Sequence, residues 1–93
     1  MRVIMLKTLV KYGPYMAVGK KVTFQKEIDF VPPKGIVILL KSQEYVKYDT
    51  IEEIYWNTLE NIITCYLRHE NVMSDEEFEK IKRIFEASGW VKV

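Results

Sequence analysis

The sequence predicts an α+β fold: a small antiparallel sheet of four to five strands, able to close partly into a barrel, with one C-terminal amphipathic helix packed on it. Three observations predict it. Ser74–Trp90 carries a capping signal, a helical apolar stripe and a glycine stop. Lys20–Phe30 alternates apolar and polar residues, the pattern of a strand with one face on a core and one in water. Arg2–Lys11 and Ile36–Leu40 are apolar runs rich in β-branched residues. At 93 residues, the whole chain (1–93) reads as a single domain.

In Arg2–Lys11, Ile4, Leu6, Thr8 and Val10 share one face of the expected strand. Tyr12-Gly13-Pro14-Tyr15 is punctuated by Gly-Pro and reads as a turn that continues through Gly19. In Lys20–Phe30, Val22, Phe24, Ile28 and Phe30 share the apolar face, and Lys26 interrupts it. That interruption is expected at a rim, where the lysine stem covers apolar surface. Pro32-Pro33 makes a rigid connection, because proline cannot donate to a ladder. Ile36–Leu40 reads as a short buried strand, and Lys41–Glu44 as a polar turn.

Tyr45–Glu70 supports two readings. As a hairpin, it has strands near Ile51–Trp56 and Ile62–Arg68 around a loop at Asn57–Asn61. As a helix, which the periodicity favours, it starts at Asp49 with Glu52 as capping partner and keeps Ile51, Ile54, Tyr55, Leu59, Ile62, Ile63, Tyr66 and Leu67 at helical spacing. The β-branched and aromatic content of residues 62–66 favours the hairpin. The helical alternative, followed by Ser74–Ser88 and Gly89–Val93, resembles the two helices and wing of a winged-helix domain.

The last helix is the best-defined element. Ser74 and Glu77 form a capping box, with Met73 and Phe78 placed for a hydrophobic staple. Asp75, Glu76 and Glu77 crowd the positive end of the helix dipole. Phe78, Ile81, Ile84 and Phe85 make the apolar stripe. Gly89 stands at C′, and Trp90 at C″ can reach Phe85, as in a Schellman ending. A short strand at Val91–Val93 closes the chain. The expected core is Phe24, Ile28, Phe30, Ile36, Ile38, Ile63, Phe78, Ile81, Phe85 and Trp90.

Composition narrows the function classes. With 48% hydrophobic and 29% charged residues, the chain is globular. Its longest aliphatic run, Ile36–Leu40, falls far short of the ~20 residues that span a bilayer. A single cysteine and the lack of an apolar leader pattern fit a cytoplasmic protein. Lysine far outnumbers arginine and glutamine is scarce, which leans towards a heat-adapted source. The net charge of +1 hides a split, +6 over residues 1–48 against −5 over residues 49–93. Such a split marks a basic binding face or two halves that attract each other within the fold.

No catalytic constellation stands out. Cys65 and His69 are four apart and expected on one side, but no third group orients the imidazole. Cys65, His69 and Glu70 are too few for a zinc site. Gly13–Lys21 fails as a phosphate loop, because five residues separate its glycines and Lys21 stands where a hydroxyl is needed. The acidic runs are explained by capping and solubility. No enzyme activity, cofactor, metal or membrane partner is therefore expected.

Two binding functions remain. Plentiful Tyr and Trp, with open sheet edges, predict a protein–protein module, expected as a homodimer. The alternative is a nucleic-acid binder. Lys7, Lys11, Lys20 and Lys21 flank Tyr12 and Tyr15, pairing phosphate-seeking cations with stacking platforms.

Overall fold

The structure, a computed structural model, describes residues 1–43 and 45–93. Glu44, the last residue of the expected polar turn, lies outside them. In chain order the elements are β1 (Arg2–Tyr12), a one-turn 3-10 segment (Pro14–Met16), β2 (Val18–Ile28), β3 (Val37–Lys41) and β4 (Val46–Asn57). They are followed by β5 (Ile62–Leu67), β6 (Glu70–Val72), α1 (Asp75–Ala87) and β7 (Val91–Lys92). The strands run in the order β3-β4-β5-β1-β2-β7, and β6 continues the line of β5 along β1.

The fold is thus α+β with a C-terminal helix, but the sheet differs in two ways from expectation. Seven strands are described rather than four or five. The sheet is mixed rather than antiparallel, because β5 and β6 both run parallel to β1. The helix touches β1, β3, β6 and β7, which come from both ends of the strand order, so the sheet curls around it as a half-barrel. The hairpin reading of residues 50–68 holds, since β4 and β5 pair antiparallel. That excludes the winged-helix-like alternative, which needs a helix there. The hairpin is closed by Asn57, whose side chain accepts from the N–H groups of Leu59 and Glu60, and by Asn61 in the left-handed region at φ 56°.

The helix seats the core. Ser74 accepts from the Glu77 N–H at 3.1 Å. At the far end Trp90 N–H donates to Phe85 C=O and Gly89 N–H to Glu86 C=O, completing a Schellman motif with Gly89 at φ 85°. Phe85 is fully buried, stacked on Phe24 and edge-on to Trp90. Lys26 Nζ donates to Ser88 C=O at 2.9 Å, so this inward lysine caps the negative end of the helix.

Three expectations about packing fail. Ile36–Leu40 is not a buried strand, because Val37 and Leu39 alternate onto the face away from the helix and are 58% and 57% exposed. Met73 is 88% exposed and does not staple Phe78. Phe30 is 55% exposed because β2 ends at Ile28 and the chain bends away. Phe24, Phe78, Ile81, Phe85 and Trp90 are buried, and Ile28, Ile36, Ile38 and Ile63 pack at the core margin.

Candidate interaction surface

The outer face of the sheet, away from the helix, follows from register. Leu39 pairs with Tyr48, Val37 with Thr50, Tyr55 with Thr64, and Glu53 with Tyr66. Tyr66 in turn pairs with Leu6. A register shift between Ile51 and Glu53 inserts one residue into β4. That bulge switches parity, so Tyr48 and Tyr55 share the outer face although they are seven residues apart. Tyr55 and Tyr66 meet edge-on at 5.7 Å. Val37, Leu39, Tyr48 and Tyr55 are each 57–67% exposed. The result is an aliphatic and tyrosine-rich strip that reaches the open edge of β3.

The expected lysine/tyrosine site is divided by the fold. Lys7 is fully buried and is no surface contact. Its ammonium donates to Asp49 Oδ2 at 2.6 Å, Arg68 C=O at 2.7 Å and Glu70 Oε1 at 2.9 Å. Lys47 joins the same carboxylate at 2.9 Å. Burial alone would push the Glu70 carboxyl up, but the hydrogen bonds and charges of Lys7 and Lys47 outweigh it and hold the carboxyl below its usual range. Lys11 and Lys20 are direct cross-strand partners, a like-charge pair that is unfavourable unless countered. Asp75 counters it, bridging both ammonium groups at 3.1 and 3.2 Å. These two lysines hold the Asp75 carboxyl below its usual range. Lys20 also lies 3.7 Å from Glu79.

Lys21, Tyr12 and Tyr15 stay at the surface of the β1–β2 end. Tyr15 is wholly exposed and sits at φ 58°, a conformation that costs a non-glycine residue roughly 1–2 kcal/mol. The Gly13–Lys21 segment is the turn and second strand of a hairpin, not a strand–loop–helix cradle.

Cys65 and His69 do not face the same side. Cys65 is fully buried among core residues, and burial pushes its thiol pKa up. His69 is exposed and lines a cavity of about 200 Å³ with Leu6, Thr8, Glu52, Glu53 and Tyr66 on the outer face. Among the described residues, no three His, Cys, Asp or Glu side chains are placed to hold a metal. Nor is any helix among them long and apolar enough to cross a membrane.

Reading residue types alone missed the buried Lys7–Asp49–Glu70–Lys47 cluster and the outer tyrosine strip. The available signal for the cluster was a lysine in the middle of an otherwise apolar strand. For the strip it was the spaced tyrosines of residues 45–66. No family model, curated protein or solved structure matches the chain.

Proposed function

We propose that the protein is a non-enzymatic interaction module that acts through protein–protein contacts and assembles with copies of itself. The observation that carries this reading is the outer sheet face, where Val37, Leu39, Tyr48, Tyr55 and Tyr66 form one exposed strip. Contiguous exposed apolar surface is costly in water and marks interaction sites. Tyrosine is the residue type that interfaces favour, combining a large apolar body with a hydrogen-bonding tip.

The charge split supports the same reading. Four of the nine cations of residues 1–48 are paired across that split within the molecule. Lys7 meets Asp49 and Glu70, Lys11 meets Asp75, Lys20 meets Asp75 and Glu79, and Lys47 meets Glu70. Each of these pairs joins a cation of residues 1–48 to an anion of residues 49–93.

The second reading, nucleic-acid binding, rests on Lys21, Tyr12 and Tyr15, which remain exposed at one end of the sheet. Fluorescence anisotropy with labelled single- and double-stranded oligonucleotides, at about 50 and 200 mM salt, separates the two. The interaction-module reading expects no salt-sensitive binding. Binding that weakens steeply with salt and is lost in Lys20→Glu/Lys21→Glu would replace it with the nucleic-acid reading. Sedimentation velocity over a wide concentration range tests self-assembly directly, with a concentration-dependent rise in mass as the expected result.

A further inference from the structure

We infer that the open edge of β3 is the self-association site, pairing antiparallel with β3 of a second copy across a two-fold axis. The inference rests on the self-assembly reading above and gives it a location.

β3 ends the strand order and, among the described residues, has β4 as its only strand partner. The Ile36 C=O accepts from Ile51 N–H, so Ile36 faces β4. Main-chain direction alternates along a strand, so Ile38 and Leu40 also face β4, while Val37 and Leu39 present N–H and C=O to the open side. Lys41 is next in that outward series, and its C=O accepts from the Ser88 hydroxyl at 3.3 Å. The end of the helix therefore closes one end of the edge and leaves Val37–Leu39 open.

The two edges of the sheet are treated differently. At the other end β7 is only two residues long, and one of the two is Lys92. Shortness and lysines are the usual protections of an edge. β3 is longer, at five residues, has no proline, and carries its one lysine, Lys41, at the end that the helix closes. Its outward side chains, Val37 and Leu39, are 58% and 57% exposed. An unprotected apolar edge is a template for another strand.

The segment suits itself as that strand. Laid antiparallel on a second copy about Ile38, it sets Val37 opposite Leu39 and Ile36 opposite Leu40, with no charge facing a charge. Lys41 falls outside the paired segment at both ends. Val46 and Tyr48 on the neighbouring strand extend the contact, at 53% and 67% exposure. A standard interface takes about 800 Å² from each partner. Three open edge residues and four side chains fall short of that, so the dimer is expected to be weak and reversible, with Kd about 10 µM or weaker.

The test uses the full chain. Sedimentation equilibrium gives Kd for the wild type, Leu39→Lys and Leu59→Lys, with circular dichroism confirming that each folds. Hydrogen exchange then follows the Val37 and Leu39 amides across the same concentrations. Each copy loses its own leucine in Leu39→Lys, and a tenfold loss per copy weakens Kd about 100-fold. Leu59→Lys, in the β4–β5 turn and outside the strip, should leave Kd within about threefold, under 1 kcal/mol. The Val37 and Leu39 amides should become more protected as the wild type associates. Association that survives Leu39→Lys, or is lost in Leu59→Lys, or leaves those amides unprotected, overturns the edge assignment while self-assembly stands. A wild type that is monomeric up to about 1 mM, where even weak pairing shows, overturns both.

Discussion

Lys7 shows how a single side chain organises this molecule. It lies on the helix-facing side of β1 between Met5 and Leu9, both buried, yet it is charged and has no exposed surface. Three oxygens from different parts of the chain satisfy its three protons: Asp49, Arg68 and Glu70. Removing the cation would leave Asp49 fully buried without its partner, the expensive half of a buried ion pair. Lys7→Met fills similar space and should still cost about 3–5 kcal/mol in urea unfolding. A loss below about 1 kcal/mol would mean that water reaches the carboxylates and that the cluster is not sealed. The same residue explains what was hard to read in the sequence. Lys7, Lys47, Asp49 and Glu70 all point inward, and each breaks the apolar alternation on which strand recognition depends. Hence the core face of β1 was disguised, β4 was expected to begin at Ile51 instead of Val46, and β6 was not expected at all.

At the scale of elements, legibility follows local physics. The helix was readable because its cap, stripe and glycine stop lie within one short stretch, and all three signals act there. The hairpin at residues 50–68 was readable from β-branched and aromatic content, while its helical periodicity misled. The parallel partnership of β5 with β1 was not readable, because pairing distant strands depends on register and crossover rather than on local residue type. The staple at Met73 failed for a related reason. Phe78 is covered by the sheet and by Lys20, which lies 5.8 Å from its ring, so the apolar contact is met without Met73. Helix docking is best tested at Phe85, which has no exposed surface and contacts two aromatic rings. An isolated helix of this length is marginal, so its stability comes from this packing. Phe85→Ala should cost about 3–5 kcal/mol in urea unfolding, with loss of the Trp90 fluorescence environment at a lower midpoint. An effect below about 1 kcal/mol would be a surface-like response and would count against the docking.

At the scale of the whole molecule, the charge split works as an internal fastening. The sheet's N-terminal cations hold the C-terminal helix and β6 through Asp75, Glu79 and Glu70. Exposed pairs of this kind contribute little, so the half-exposed Asp75 and Glu79 bridges place the helix end rather than dominate stability. The buried Glu70 bridge is different, and its sign is fixed by chemistry. The Glu70 carboxyl is held below its usual range in the fold, so the folded state prefers it ionised. The stability it contributes is fully present above the unfolded value, about 4.3, and is lost as pH falls through the lower folded value. Urea midpoints measured from pH 7 downward should therefore stay level until about pH 5 and then decline. Asp75 shifts in the same direction and adds to the same acid limb. Glu70→Gln removes the titrating group while keeping its shape. It should lower the midpoint at pH 7 and flatten the decline below pH 5. A Glu70→Gln curve that falls as steeply as the wild type's would assign the acid limb to other carboxylates and leave the buried cluster without a part in it.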